Sequence, residues 1–220
     1  ILFLKKGFNL GRSHSQAKGS GWIMPALMLV LFSLLTFQVS FAPGGPIFFS
    51  VKGPGSMHAP LLISTLAGLL IGALAQRSRF CTMGAIRDVM LTRDFHLLGG
   101  VLALLVFAFA TNFILGQFKP GFDGQPIAHT NHLWNFLGMS LAGLAFALAG
   151  GCPGRQLFLS GEGDADAGIF VLGMITGAAV SHNFAIASSG KGVAAFGPIA
   201  VIFGIVFCLI VGFTMIEKEA

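Results

Sequence analysis

Long stretches without any charged residue are the feature that most limits how this chain can fold. Six windows lack Asp, Glu, Lys and Arg, and each can hold a helix of about 20 apolar residues, the length that crosses a bilayer. They lie between Lys18 and Lys52, Lys52 and Arg77, Asp94 and Lys119, Asp123 and Arg155, Asp166 and Lys191, and Lys191 and Glu217. Continuous apolar runs such as 101–110 favour helices, because the strands of a membrane barrel would alternate apolar and polar residues.

The composition agrees with a membrane protein. The chain is 55% hydrophobic and only 10% charged, whereas soluble domains carry about 25% charged residues. These values exclude a soluble enzyme, a disordered chain and a disulfide scaffold. We therefore predict an all-α integral membrane protein with a single transmembrane domain over residues 1–220 and about six spans. The spans are expected at roughly 22–41, 59–76, 95–115, 132–150, 167–187 and 193–215.

Positive charges between these spans predict the orientation. If all six spans cross, one side carries ten Lys and Arg and the other side three. The ten are Lys5, Lys6, Arg12, Lys18, Arg77, Arg79, Arg87, Arg93, Arg155 and Lys218, and the three are Lys52, Lys119 and Lys191. Because cytoplasmic loops are enriched in Lys and Arg, both termini are predicted to be cytoplasmic. Since the spans interrupt these basic residues, nucleic-acid binding is not expected.

Two cysteines occupy matching places in a predicted internal repeat, with units at about 59–115 and 132–187. Each unit holds a helix of small residues, a cysteine, a polar stretch with an arginine and an aspartate, and an apolar span that ends in asparagine. The separation is 31 residues both from Cys81 to Asn112 and from Cys152 to Asn183. The segment after each cysteine suits a helix too short to cross, so we predict two re-entrant or interfacial half-helices.

A cysteine at the start of a half-helix suggests an anion site. The free N–H groups and the positive end of the helix dipole stabilise negative charge there. Arg155, with Arg79 or Arg87, adds positive charge nearby. The pattern at Cys81 and Cys152 is typical of a binding site for a sulfur-containing anion near the membrane.

More ordinary explanations of the cysteines remain open. A free cysteine is usually a small buried hydrophobe, and Cys208, inside an apolar run, fits that role. A structural disulfide is not expected on the cytoplasmic side. Neither Cys81 nor Cys152 has another Cys or His at the spacing of zinc ligands, so no metal is expected.

Other small and acidic residues have structural interpretations. The GxxxG pairs predict close helix packing, and Asp94 and Asp166 are predicted to be helix N-caps. The two pairs are Gly68 with Gly72 and Gly173 with Gly177. The chain begins with Ile1 and shows no signal peptide, so we expect a piece of a longer protein.

The segments around the two cysteines resemble the signature segments of the YeeE/YedE sulfur-transport family. They read QRSRFCTMGAIRD at 76–88 and GGCPGRQL at 150–157. Segments 53–60, 116–122 and 160–166 are similar to the YedE branch, whose members are named as selenium transporters. The resemblance covers most of the chain from about Phe3 onward.

The resemblance implies a bacterial inner-membrane protein of hourglass shape, whose short helices and loops dip toward the membrane centre. It implies thiosulfate uptake between cysteines through thiol hydrogen bonds rather than covalent chemistry, often with a cytoplasmic sulfur-carrier protein. By motif match Cys81 and Cys152 would be the path cysteines, and Cys208 matches no such motif. Family members are longer and carry a further cysteine-bearing segment at the N-terminus, which again implies a piece of a longer protein.

Together these observations predict a transporter, not an enzyme, for a small sulfur- or selenium-containing anion, with no catalytic residue, cofactor or metal. Cys81 and Cys152 would contact the substrate, and positive charge would come from Arg155, Arg79 and Arg87. One alternative is a membrane-bound transferase that forms a cysteine persulfide or selenosulfide, which a covalent adduct would reveal. Another is a subunit that only anchors a soluble partner, in which both cysteines would tolerate serine.

Overall fold

The computed structural model describes residues 14, 20–40, 49, 56–125 and 128–216. In these ranges the chain forms eight α-helices, preceded by a 3-10 turn at Ser20–Trp22. They are α1 Ile23–Thr36, α2 Leu61–Ser78, α3 Thr82–Leu91, α4 His96–Ile114, α5 His132–Leu148, α6 Pro153–Gly161, α7 Ala165–Asn183 and α8 Gly197–Thr214. Lys5, Lys6, Arg12, Lys18, Lys52 and Lys218, used above for orientation, lie outside the described residues, as does 53–55.

The chain is an all-α, multi-pass membrane protein. Five stretches of the described chain are long and apolar enough to cross a bilayer, and two of them contain a long helix together with the half-helix that follows. The five are Leu61–Leu91, His96–Ile114, His132–Gly161, Ala165–Asn183 and Gly197–Thr214. The half-helices predicted after Cys81 and Cys152 are confirmed as α3 and α6.

The first predicted span corresponds to a shorter helix than expected. Helix α1 has 14 residues, which reach about 21 Å at about 1.5 Å per residue, against a hydrocarbon core of about 30 Å. The described part of the chain therefore has five full-length spans rather than six. The helix ends because the chain turns at Phe37 and Gln38, where Gln38 has a φ of 48°. A search for uncharged windows cannot detect that turn, and residue 41 lies outside the described part.

The described chain divides into two compact units. The first includes Phe80–Gln156 and Phe170–Ala220. Within it α3 packs against α4 and α5, and α5 packs against α8. Gly204 brings α8 close to α5, because a Cβ there would lie 2.7 Å from Leu141 Cδ2.

The second unit includes Ser13–Arg79 and Leu157–Ile169. Here Asp164 Oδ1 accepts the Ala167 N–H at 2.9 Å, so Asp164 caps α7. The prediction that Asp166 is the cap is wrong, because Asp166 lies inside the first turn and accepts the His14 backbone N–H at 3.0 Å. The prediction that Asp94 is an N-cap is also wrong, because the N-cap of α4 is Phe95; Asp94, one residue earlier, accepts the His96 N–H on Oδ1 at 2.9 Å.

Large apolar side chains cover the outside of the long helices. Leu69, Phe107 and Phe203 are all exposed, as expected for surfaces that face lipid. The close packing predicted at the GxxxG glycines is not seen among the described residues. Nothing there lies within 4 Å of a Cβ built at Gly68, Gly72, Gly173 or Gly177.

Candidate functional site

Cys81 is the N-cap of the half-helix α3. Its backbone is extended, and its Sγ accepts the Gly84 N–H at 3.2 Å. Sulfur here takes the place of the hydroxyl or carboxylate oxygen that usually satisfies an exposed N–H at a helix start. The side chain is only 6% exposed, so the thiol lies inside the protein at the first turn of the helix.

The first turn of α3 is tightly packed. A Cβ on Gly84 would lie 3.2 Å from Cys81 Cβ and 3.3 Å from Leu97 Cδ1 of α4. A glycine at this position therefore allows the helix start to approach both the capping cysteine and the neighbouring helix. This crowding fixes where the Cys81 thiol lies.

Cys152 follows a sharp helix end. Gly150 has a φ of 74° and its N–H bonds to the Ala147 carbonyl at 3.3 Å, while the Gly151 N–H bonds to the Phe146 carbonyl at 3.2 Å. This pair of bonds is a Schellman motif, in which glycine adopts the left-handed conformation without steric cost. The two glycines before Cys152 therefore end α5 and form the turn that leads to α6.

The same arrangement caps α6. The Arg155 N–H lies 3.5 Å from Cys152 Sγ, which repeats the bond from Gly84 to Cys81. The Gln156 side chain closes the connection from α5, since its Nε2 donates to the Ala149 carbonyl at 3.0 Å. Cys152 is 8% exposed, so both half-helices begin at a buried thiol.

The structure brings the two thiols together inside the first unit. Helix α3 packs against α5, the helix that leads to Cys152. Besides the Arg155 amide at 3.5 Å, Thr82 and the Cys81 thiol lie near the Cys152 sulfur. Cys208 belongs to α8 and caps no half-helix, and all three cysteines are free.

Thr82 is a residue of this site that sequence reasoning missed. It is the first residue of α3, so its N–H has no partner within the helix, and it lies near the Cys152 sulfur. At the same position of α6 stands Pro153, which has no N–H to offer Cys81. The donors therefore converge on Cys152. Only the packing of α3 against α5 reveals this, because a threonine after a cysteine has no distinctive pattern.

The three arginines predicted at the site lie in different surroundings. Arg155 is half-buried and contacts Cys152 through its backbone amide. Arg87 donates from Nε to Asp88 Oδ1 at 2.9 Å and forms an ion pair with it, which offsets its charge. Arg79 is exposed and belongs to the second unit, where it ends α2 in a left-handed conformation with a φ of 52°.

Within the described residues no group of three or more His, Cys, Asp or Glu side chains could hold a metal ion. The chemistry of the site is that of two buried thiols, the amides of two helix starts and a hydroxyl. Such groups bind a small anion through hydrogen bonds and the positive ends of the helix dipoles. The fold defines a multi-pass membrane protein in which two buried cysteines cap two neighbouring half-helices.

Comparison with known proteins gives the family. The family model described as "Sulphur transport" matches residues 77–216, a range that contains both capping cysteines and both half-helices. The chain belongs to this family, the YeeE/YedE sulphur-transport proteins.

One curated relative is similar over part of its length. The thiosulfate transporter TsuA of Spirochaeta thermophila is 36% identical over 103 residues, which make up 44% of this chain and 29% of the relative. The match therefore spans less than a third of that protein. No solved structure matches the chain significantly.

Proposed function

We propose that this protein carries a small sulfur-containing anion of the thiosulfate class across the membrane, past the paired thiols. The observation that carries the proposal is the convergence of two half-helix starts on Cys81 and Cys152. Each helix start offers free N–H groups and the positive end of a dipole to an anion. Family membership and the name of the TsuA relative support the same substrate class.

The roles of the site residues follow from the chemistry of such an anion. Its terminal oxygens and sulfur are hydrogen-bond acceptors, and the thiols of Cys81 and Cys152 are donors. In a buried site with little water, hydrogen bonds to a charged group are stronger than in solution. Arg155 adds positive charge beside Cys152, whereas the charge of Arg87 is offset by Asp88 and Arg79 belongs to the other unit. The anion passes by exchanging hydrogen bonds, and both thiols stay chemically unchanged.

The proposed setting is the bacterial inner membrane with both termini in the cytoplasm, an orientation that requires the short α1 to cross in addition to the five full-length spans. The excess of Lys and Arg on one side of the spans supports this orientation. The half-helices would then follow spans that end on the cytoplasmic side, so the thiols would deliver the anion there. A cytoplasmic sulfur-carrier protein is the proposed recipient. Equal Cys-to-Asn separations support the proposal that 59–115 and 132–187 are repeats.

Uptake by proteoliposomes tests this function. Vesicles that hold the purified full-length protein would be given radiolabelled thiosulfate, with selenite tested separately as a second substrate. We expect thiosulfate uptake by the wild type and its loss in Cys152→Ala. Cys208→Ala is the matched control, since it removes a thiol outside the site and should leave uptake unchanged. Equal uptake by all three proteins would contradict the proposed site.

The two competing functions give different results in the same preparation. A transferase would attack the outer sulfur of thiosulfate with Cys81 or Cys152, break its S–S bond, release sulfite and keep the sulfur as a persulfide, which intact-protein mass spectrometry detects. Passage by hydrogen bonds leaves both thiols free. A subunit that only anchors a partner would show no uptake and would tolerate serine at both positions. Selenite uptake without thiosulfate uptake would change the proposed substrate to a selenium anion but would leave the proposed role of the two thiols unchanged.

A further inference from the structure

The paired cysteines have the properties of a metal site with few ligands. Cys81 and Cys152 are both free and buried, and the Cys81 thiol lies near the Cys152 sulfur. Both belong to the first unit, in which α3 packs against α5, the helix that leads to Cys152. A thiolate is a soft ligand that selects soft metal ions such as Cu⁺. Two neighbouring thiolates can therefore hold one such ion between them.

The groups around the two sulfurs decide which metal ions fit. The described part of the chain has no group of three or more His, Cys, Asp or Glu side chains that could hold a metal. Zn²⁺ takes about four ligands, so the two cysteines alone do not complete its coordination. The hydroxyl of the nearby Thr82 is a hard donor, which soft ions bind weakly. Cu⁺ and Ag⁺ are soft ions that form stable complexes with two thiolates and need no further ligand.

The charge of such a complex also suits the two helix starts. When one monovalent ion binds, two S–H bonds break, two metal–sulfur bonds form and two protons leave to water. The complex then carries one negative charge, and no electron is transferred. The N–H groups of Gly84 and Arg155 already lie 3.2 Å and 3.5 Å from the two sulfurs. These N–H groups and the positive ends of the helix dipoles stabilise negative charge on sulfur.

We propose that Cys81 and Cys152 together bind one soft monovalent cation, Cu⁺ or Ag⁺, through both sulfurs. The bound ion joins the start of α3 to the start of α6, and it acts as an inhibitor rather than a cofactor. Because it occupies both thiols, it blocks the anion path of the proposed function. The binding itself does not depend on that function, since it requires only the two sulfurs and the N–H groups that face them.

Ag⁺ binding to the purified full-length protein tests the site, because Ag⁺ keeps its oxidation state in air whereas Cu⁺ does not. Calorimetric titration in chloride-free detergent buffer would use Cys208→Ala as the parent, which lacks the third cysteine of the chain. We expect one tightly bound Ag⁺ that Zn²⁺ does not displace. Cys81→Ser and Cys152→Ser in this parent should each weaken Ag⁺ binding by more than about 100-fold, since even an outer-shell partner contributes about 10–100-fold. Serine is a preferred N-cap, so both variants keep the helix start and remove only the sulfur.

The outcomes distinguish this site from metal binding elsewhere and from transport. Equal Ag⁺ affinity in the parent and both serine variants would overturn the inference, because the ion would then bind at other residues. Two Ag⁺ ions, each lost with one cysteine, would also overturn it, because each thiol would bind alone. Displacement of Ag⁺ by an equal concentration of Zn²⁺ would overturn it as well. If Ag⁺ binds as expected but the wild type takes up no thiosulfate, the metal site stands and the proposed function fails. Thiosulfate uptake that one bound Ag⁺ leaves unchanged would contradict a path past the two thiols.

Discussion

The two half-helices α3 and α6 begin in the same way. In each, a buried cysteine sulfur accepts the N–H of the third helical residue, at 3.2 Å from Gly84 to Cys81 and at 3.5 Å from Arg155 to Cys152. Each follows a long apolar helix and leads into another long helix, at whose start an aspartate accepts a backbone N–H. Both helix starts have the same physical reason, because a cysteine sulfur at the N-cap accepts a backbone N–H that would otherwise be unpaired.

The half-helices differ in what they offer beyond the cap. Helix α3 buries Ala85 and places Thr82 near the Cys152 sulfur. Helix α6 begins with a proline, which has no amide N–H, and buries Gln156 and Ser160. The two half-helices therefore share their cap but differ in the side chains that they bury after it.

The largest expected effect is on the thiols. We expect Cys152→Ala to lower thiosulfate uptake by about 100-fold and Cys81→Ala by about 10-fold, since hydrogen bonds to charged groups contribute about 1.5–3 kcal/mol. The larger loss is expected for Cys152→Ala because more hydrogen-bond donors lie near Cys152 than near Cys81. Initial rates of uptake at equal protein density measure both. A larger loss in Cys81→Ala would reverse the assignment of the principal binding thiol.

The second-largest expected effect is on stability, from added side-chain volume at the first turns of α3 and α6. Gly84→Val should destabilise the protein by about 1–3 kcal/mol, the usual result of overpacking, because Cys81 and Leu97 already lie 3.2 and 3.3 Å from its Cβ position. Gly154→Ala is the control in α6, where the nearest atom, Cys152 Sγ, is 4.0 Å away. Thermal unfolding in detergent compares the two. Equal melting temperatures would mean that α3 is no more tightly packed than α6.

A smaller effect is expected where the first residues of the half-helices differ. Thr82→Val removes the hydroxyl and should lower uptake about threefold to tenfold, in line with about 0.5–1.5 kcal/mol for one hydrogen bond. Thr82→Ser should restore it. Thr82→Pro makes α3 begin as α6 does and removes the amide as well, at a position where helices accept proline. Uptake that is the same in Thr82→Pro and the wild type would show that these donors do not act on the anion.

The sequence predicted the helices better than it predicted the site. Uncharged windows located the spans because a bilayer requires long apolar segments, and both half-helices were predicted from the polar stretches after Cys81 and Cys152. The short α1 was not predicted, since the turn at Gln38 depends on backbone conformation. Thr82 was missed because its contact with Cys152 arises from helices distant in sequence. The spacing of Gln156 and Ser160 is visible in the sequence, but their burial is not.

The smallest expected effect separates the two aspartates at the start of α7. Asp164→Ala should cost about 1 kcal/mol, the usual value of an N-cap, because Asp164 accepts the Ala167 N–H at 2.9 Å. Asp164→Asn keeps an oxygen that can accept this bond and should be nearly neutral. Asp166→Ala removes only an exposed contact with His14, and exposed ion pairs contribute about 0–1 kcal/mol. Melting temperatures of the three variants give the order. A greater loss in Asp166→Ala than in Asp164→Ala would restore Asp166 as the cap and would end the parallel between the aspartates that follow α3 and α6.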